Sequence, residues 1–337
     1  MSKGTSTAAV AAGKTKLPAP TAIATATPAQ AIPAGGAEQA APMQPQIFSV
    51  SGDIPERSID IRGIAFIQCL FQSQFFASSS QPKAEAYYSV GSGALISPDG
   101  YIITARHVLE PDKALANDPA GRVWTRQECH ALPADEAQTP VPEPKYWTNS
   151  ALAKFKKADV VFKASDAEYA DTLGSDIAIL KIEAPEPLPY FPIYPQLIKF
   201  DSGNKLVVIG YPGMESGKAQ SLERFDGTFN TLTFFERNTA CNAVTLAPCG
   251  WRYWIRRYSY DYEKDFYTPT PLGIVSGFNR AGFSGSPAFY KGNFVGIATH
   301  RDPGDTGLGW EGTYVLTSYD ILDVLHKNNI GIQNTPR

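Results

Sequence analysis

Short runs of apolar and β-branched residues, broken by turn residues, recur along most of the chain and predict β-strands. In the first half these runs occupy residues 61–71, 86–97, 101–105, 158–164 and 175–182. In the second half they occupy residues 205–213, 227–235, 251–260, 273–278, 286–290 and 294–299. The pattern therefore favours two β-rich halves.

The tripeptide P-D-G at residues 98–100 separates two of these runs. Proline presets φ for a turn, and glycine accepts the left-handed conformation that a tight turn requires. We therefore predict a β-hairpin over residues 93–105.

Apolar residues at helical spacing occur in one segment near the end of the chain. Ile321, Leu322, Val324 and Leu325 fall within residues 319–328, after a candidate N-cap at Ser318. This spacing predicts a closing helix.

Three segments have too little apolar bulk or too much proline for a regular element. Residues 1–46 contain mostly Ala, Pro, Thr and Gln with no aromatic residue, which predicts a disordered arm. Residues 110–158 are polar and contain prolines, so we interpret them as surface connections. Residues 183–196 hold five prolines, which favours a linker between the two halves.

Composition narrows the class of protein. The chain has 337 residues with a formal net charge of −3, and it lacks the roughly 18–20 consecutive apolar residues of a membrane-spanning helix. The near-neutral charge gives no support for a nucleic-acid partner. The N-terminal residues lack a secretory apolar run, so we expect a cytoplasmic or non-classically exported protein.

The four cysteines, Cys69, Cys129, Cys241 and Cys249, have neither the spacing of a zinc site nor the density of a disulfide scaffold. Cys241 and Cys249 are close enough to bridge a loop in an oxidising compartment. Four free or buried thiols are an equally acceptable interpretation.

Aromatic residues alternate with Arg252, Arg256 and Arg257 in residues 251–262. This composition fits stacking on single-stranded nucleic acid, and it also fits a strand with one kink. We favour the strand.

Candidate chemistry centres on the sequence A-G-F-S-G-S-P at residues 281–287, where Ser284 stands beside glycine. Such a stretch fits a tight turn or a nucleophile, and a serine nucleophile needs a histidine base oriented by a carboxylate. The four histidines are His107, His130, His300 and His326.

Three segments occur in an informative order: G-S-G-A-L-I-S-P-D-G-Y-I-I-T-A-R-H-V-L at 91–109, S-D-I-A-I-L-K-I at 175–182, and A-G-F-S-G-S-P. Together they resemble the signature segments of trypsin-like serine proteases, in the style of the bacterial HtrA/Deg proteases and glutamyl endopeptidases. The segment V-V-I-G-Y-P-G at 207–213 also resembles the opening of the second barrel in the HtrA/Deg group. The resemblance covers roughly residues 60–328.

The resemblance implies an all-β fold with two six-stranded antiparallel β-barrels of the chymotrypsin type. The first barrel would occupy residues 47–190 and the second residues 191–317, with the helix and tail at 318–337. Because the chain ends with this helix, we expect no peptide-binding PDZ module.

The resemblance also implies a serine endopeptidase that acts on polypeptides without a cofactor or metal. His107 would be the general base, Asp176 its orienting carboxylate and Ser284 the nucleophile. The backbone N–H groups of Gly282 and Ser284 would bind the oxyanion.

The substrate pocket implied by the resemblance is formed by residues before the nucleophile and by the strand A-T-H-R at 298–301. Phe278 falls at the pocket floor, where no aspartate supports a preference for Lys or Arg. Ala298 falls where glutamyl endopeptidases carry a histidine. The candidate substrate-binding residues are Phe278, Asn279, Arg280, Thr299, His300 and Arg301.

Two departures from the family pattern concern the loops around the site. Phe283 stands where the digestive members carry an aspartate and the bacterial groups an asparagine, so packing must order this loop. No cysteine flanks His107, so the disulfide that usually braces its loop is absent.

Two alternatives stay open at this point. An α/β-hydrolase needs glycine two residues after its serine, whereas Ser286 stands there and Pro287 disfavours a following helix. A catalytically silent protease-like protein would bind peptides or partner proteins through the same cleft.

Overall fold

In a computed structural model the chain divides into two units, Met1–Gln46 and Ile47–Arg337. All described residues belong to the second unit, so the arm predicted over residues 1–46 lies outside them. The structure describes residues 54–75, 83–110, 123–135, 139–141, 154–165, 176–193, 202–212, 220–237, 254–259, 272–276, 283–302 and 312–332. Along these ranges no helix has the length and apolar character needed to cross a membrane.

Six antiparallel strands close the first barrel in the order β1-β2-β3-β6-β5-β4. A 3₁₀ turn, Ile61–Gly63, precedes them. The strands are β1 (Ile64–Phe75), β2 (Lys83–Leu95), β3 (Tyr101–Thr104), β4 (Val123–Pro133), β5 (Lys156–Lys163) and β6 (Ala178–Ile182).

The hairpin predicted over residues 93–105 is confirmed. Ala94 pairs with Ile103 across β2 and β3, and Gly100 in the connecting turn has a φ of +97°. The turn that carries His107 follows this hairpin directly, so the hairpin fixes the position of the candidate base.

The second half forms a seven-stranded sheet in the order β10-β13-β12-β11-β7-β8-β9. Its strands are β7 (Lys205–Gly210), β8 (Glu223–Arg237), β9 (Trp254–Ser259), β10 (Leu272–Ser276), β11 (Pro287–Tyr290), β12 (Asn293–Asp302) and β13 (Gly312–Thr317). An additional pairing between β10 and β8 joins six of these strands in a cycle. The two-barrel, all-β prediction therefore holds. Strand β9 is a seventh strand, which pairs with β8 outside this cycle.

Two strands fall where the sequence indicated none. The interpretation of residues 110–158 as surface connections is wrong for β4, because its inward-facing Cys129 and Ala131 are small and give a weak apolar signal. Strand β13 is buried along its whole length and runs into the helix without a glycine or proline to mark its end.

The closing helix α1 (Ser318–Lys327) is confirmed, but its N-cap is Thr317 and not Ser318. The hydroxyl of Thr317 donates a hydrogen bond to the carboxyl of Asp320 in the first turn. Because Thr317 is also the last residue of β13, strand and helix share one junction.

The proline-rich segment 183–196, described up to residue 193, connects β6 and β7 as predicted and packs between the barrels. The Phe191 N–H donates to the Leu95 carbonyl at 2.8 Å, and the Phe191 ring contacts Phe289 of the second barrel at a centroid distance of 4.9 Å. The predicted domain boundary between residues 190 and 191 falls in this segment and stays a prediction.

The cysteine pairing differs from both sequence interpretations. Cys69 on β1 and Cys129 on β4 form a disulfide, with 4.0 Å between their Cα atoms. The two residues lie directly opposite each other in the strand register, a relation that cannot be seen until β4 is known. Cys241 and Cys249 lie outside the described residues.

Candidate active site

His107 lies in a 3₁₀ turn, Arg106–Leu109, that follows β3. Val108 and Leu109 are buried in the core of the first barrel, whereas the His107 side chain stays 31% exposed. The turn therefore anchors its apolar residues and presents the imidazole at the surface of the barrel.

Asp176 precedes β6 and is completely buried. One carboxyl oxygen accepts the His107 backbone N–H at 2.9 Å, and the other lies 2.7 Å from Nδ1 of the same residue. Two contacts to one carboxylate fix both the main chain and the ring of His107. A proton on Nδ1 leaves Nε2 as an acceptor.

Ser284 completes the line of hydrogen-bonding groups. Its Oγ lies 2.6 Å from Nε2 of His107 and 3.3 Å from the carbonyl oxygen of Thr299. The fold thus unites His107, Asp176 and Ser284, which are separated by 69 and 177 positions along the chain when counted from His107.

The turn that carries Ser284 depends on Gly285, which has a φ of +83°. A Cβ atom at this position would lie 2.0 Å from the Ser92 carbonyl oxygen, so no other side chain fits. The Gly285 N–H donates to the Ala298 carbonyl at 2.7 Å, and the Ser286 N–H donates to the Phe283 carbonyl at 2.8 Å. The small residue after the nucleophile is therefore required by close backbone approach.

Ser92 of the first barrel joins the two barrels beside the nucleophile, and only its two flanking glycines mark it in the sequence. Its N–H donates to the Ser284 carbonyl, and its Oγ accepts the Tyr211 N–H, both at 2.8 Å. Its own carbonyl accepts the Thr104 hydroxyl at 2.7 Å. Ser92 is completely buried, so these contacts replace its bonds to water.

Side chains of the first barrel that have no distinctive pattern in the sequence brace the His107 turn. Arg106 is 2% exposed and forms an ion pair with Glu110 at 2.6 Å. The same Glu110 carboxylate lies 3.4 Å from the Lys163 ammonium group. The Gln127 amide on β4 donates to the Leu109 carbonyl at 2.7 Å. These polar contacts tie both ends of the turn to the barrel.

Apolar packing holds the loop on the other side of the site. Phe283 is 2% exposed, and its ring meets that of Phe225 edge-to-face at a centroid distance of 4.8 Å. The phenylalanine noted in the sequence is thus a core residue of the second barrel.

The candidate substrate-binding residues are described only in part. Gly282, Phe278, Asn279 and Arg280 lie outside the described residues, as do the side chains of His300 and Arg301. Thr299 is buried, its hydroxyl donates to the Tyr314 carbonyl at 3.3 Å, and its own carbonyl faces Ser284. The pairing of β12 with β13 is irregular between Ala298 and Arg301, which is a common device for re-aiming backbone groups beside a site.

Other candidate sites are separate from this line of residues. A surface cavity of about 760 Å³ lies between the segment Glu56–Ile61, the β7–β8 strands and the β11–β12 turn. None of His107, Asp176 and Ser284 lines it. Within the described ranges, no cluster of three or more His, Cys, Asp and Glu side chains has the arrangement of a metal site.

Comparison with known proteins identifies the family. A family model described as the trypsin-like peptidase domain matches residues 91–297, which is more than half of the chain. No curated protein matches the sequence. Among solved structures, the chain is similar to the apo crystal structure of the MamO protease domain from Magnetospirillum magneticum, with 15% identity and a TM-score of 0.41 over 79% of this chain and 96% of that one. The chain therefore belongs to the trypsin-like peptidase family.

Proposed function

We propose that this protein is a serine endopeptidase that hydrolyses peptide bonds through an acyl-enzyme intermediate. One observation carries the proposal: Asp176, His107 and Ser284 form a continuous line, with 2.7 Å between carboxyl oxygen and Nδ1 and 2.6 Å between Nε2 and Oγ. These distances suit proton transfer from the serine to the imidazole.

In the first half of the reaction, the Oγ of Ser284 attacks the carbonyl carbon of the scissile bond while Nε2 of His107 takes its proton. The carbonyl oxygen gains the negative charge, and the N–H groups of Gly282 and Ser284 are proposed to bind it. Collapse of this intermediate breaks the C–N bond, and the imidazolium returns the proton to the leaving amine. Asp176 stabilises the imidazolium while it exists.

In the second half, water attacks the acyl-enzyme. His107 takes a proton from the water, the C–Oγ bond breaks, and the proton returns to Ser284. The product acid leaves and the starting enzyme is restored.

The proposed substrate is an extended polypeptide chain. The Thr299 carbonyl lies beside the nucleophile where β12 departs from regular pairing, and we propose that it accepts a substrate N–H. Phe278, Asn279, Arg280, His300 and Arg301 are proposed to complete the pocket. Because Phe278 takes the pocket-floor position, we do not expect a preference for Lys or Arg.

Cleavage of a peptide library tests the proposal. Wild-type protein should cut internal bonds of the library, and Ser284→Ala should cut none while unfolding at the same temperature. Activity should rise with pH through neutrality as the imidazole loses its proton. A wild-type protein that leaves every peptide intact would instead be a catalytically silent relative that binds peptides or partner proteins.

Peptide-cleavage activity that stays constant from about pH 5 to about pH 8 would count against His107 as the base. In that case cleavage could still depend on Ser284, so the two measurements report on different residues.

A further inference from the structure

Phe283 stands between Gly282 and Ser284, the two residues whose N–H groups are proposed to bind the oxyanion. Each peptide plane is rigid, so the direction of an N–H group follows from the backbone dihedrals of the adjoining residues. A fixed position for Phe283 therefore restricts the direction of the Ser284 N–H. The groups that hold the Phe283 ring consequently act on the oxyanion site.

Phe225, on β8, is one such group. Its ring meets Phe283 at an interplanar angle of 86°, which places the edge of one ring against the face of the other. Phe225 is half-buried, in contrast to the buried residues that fill the interior of this barrel. Its ring contact with Phe283 connects it to the catalytic loop.

Ile54, which precedes the first barrel, belongs to the same apolar cluster as Phe283 and is 8% exposed. Hydrogen bonds attach its segment to the β11–β12 turn: the Arg57 N–H donates to the Lys291 carbonyl and the Asn293 amide donates to the Pro55 carbonyl, both at 2.9 Å. The approach is close, because a Cβ atom at Gly292 would lie 1.8 Å from the Arg57 carbonyl oxygen. Hydrogen bonds at Pro55 and Arg57 therefore attach the segment that carries Ile54 to the β11–β12 turn.

We propose that Phe225 and Ile54 are positioning residues that act through Phe283 to orient the oxyanion-binding loop. This inference rests on the proposed peptidase function. Position 283 holds no acidic residue that could order the loop through an ion pair. Apolar packing by two residues outside the loop orders it instead. Neither residue belongs to the proposed substrate pocket, so we expect their effect to fall on the transition state and not on substrate binding.

The test compares Phe225→Ala, Phe225→Leu, Phe225→Tyr and Ile54→Ala with the control Leu222→Ala. Leu222 is also half-buried and lies just before β8, but it packs against a different apolar cluster. Each variant is assayed with a peptide amide that the wild type cleaves, and with a peptide aldehyde and alcohol of the same sequence as inhibitors. On aldehyde binding, the Ser284 Oγ adds to the aldehyde carbon, its proton passes to His107, and the carbonyl oxygen becomes the anion that the loop meets.

We expect Phe225→Ala to lower kcat about tenfold with KM within about twofold, since loss of a whole oxyanion donor costs about 100-fold or more. Affinity for the aldehyde should fall by the same factor, and affinity for the alcohol should not change. Ile54→Ala should show the same pattern at about threefold, Phe225→Leu should lie between Phe225→Ala and wild type, and Phe225→Tyr should restore wild-type kcat.

The inference is overturned if Phe225→Ala and Leu222→Ala lower kcat equally, or if aldehyde and alcohol lose affinity together. It is also overturned if a folded Phe225→Leu and a folded Ile54→Ala both keep wild-type kcat. A wild-type protein that neither cleaves the amide nor binds the aldehyde more tightly than the alcohol contradicts the peptidase function itself. In that case the inference fails with it.

Discussion

The loops that carry His107 and Ser284 face each other across the site, but different forces hold them. Directional polar contacts of side chains brace the His107 turn: the ion pair of buried Arg106 with Glu110, and the Gln127 amide. A disulfide two residues from Gln127 joins β4 to β1. The Ser284 loop shares backbone hydrogen bonds with Ser92 and Ala298, but the side chain that holds it is apolar: Phe283 lies in an apolar cluster, and the close backbone approach admits only glycine at position 285.

This difference predicts different responses to substitution. Several independent contacts share the restraint of the His107 turn, so removal of one leaves the others in place. Close packing around the Ser284 loop leaves no room for adjustment, so one added methyl group disrupts the whole turn. A single substitution around the His107 turn should therefore reduce activity only slightly, whereas a single substitution in the Ser284 loop should remove most of it.

The largest expected effect therefore concerns Gly285. Gly285→Ala should lower kcat/KM at least a hundredfold, because the added Cβ forces the nucleophile loop away from Ser92. Gly203→Ala is the matched control: Gly203 also has a positive φ, +97°, but an added Cβ there has nothing within 4 Å. The control should lose about 1–2 kcal/mol of unfolding free energy and keep its kcat. Equal activity in the two variants would refute the packing argument.

The disulfide should have the next largest effect. Replacement of both Cys69 and Cys129 by alanine should lower the unfolding free energy by about 2–4 kcal/mol, since the bond closes a long loop in the unfolded chain. The loss of kcat should stay below about tenfold, because buried Val108 and Leu109 still anchor the His107 turn. Urea titration and peptide cleavage measure the two quantities. Unchanged stability would contradict a formed disulfide.

Gln127→Ala should have a smaller effect on activity. Loss of one hydrogen bond to the Leu109 carbonyl should lower kcat about twofold to fivefold without a change in KM. Gln127→Glu also removes the amide donor and should behave in the same way, whereas Lys157→Ala on the neighbouring strand should have no effect. A hundredfold loss in folded Gln127→Ala would mean that the first loop is as intolerant as the second.

Much of this arrangement could be predicted from the sequence, and the exceptions have physical reasons. His107, Asp176 and Ser284 each lie in a segment with its own turn or strand pattern, so their order was visible. Strand β4 was not, because Cys129 and Ala131 are small. The disulfide and the Gln127 contact both depend on β4, so they could not be predicted without it.

Ser92 illustrates a second limit. Its N–H and hydroxyl form contacts with the second barrel and its carbonyl accepts the Thr104 hydroxyl within the first, yet a lone serine between glycines has the composition of an ordinary turn. The candidate pocket residues at 278–280 lie outside the described residues, so they remain predictions.

The smallest expected effect on activity comes from Asp320 in helix α1, which belongs to neither loop. Burial raises the pKa of Asp320 to about 7 from the usual 3.8, although hydrogen bonds from Thr317 oppose the shift. The native state therefore keeps a proton that the unfolded chain releases. Unfolding free energy should fall as pH rises from about 4 to about 7 and then level.

Asp320→Asn should remove this pH dependence and should be more stable than wild type at about pH 8, with kcat unchanged. Urea titrations at several pH values measure the effect, with the exposed Asp159→Asn as control. A stability curve with the same slope in wild type and Asp320→Asn would contradict the assignment to Asp320. This variant separates stability from the positioning of the two loops.

Reaction with a fluorophosphonate tests the central claim most directly, because the reagent phosphonylates a serine only when its hydroxyl is activated. In wild-type protein we predict a single adduct, mapped by mass spectrometry to Ser284. Asp176→Asn, which keeps the geometry but places the imidazole proton on the wrong nitrogen, should react about 10⁴-fold more slowly. No adduct on Ser284 in folded wild-type protein, or equal rates in Asp176→Asn, would contradict the account.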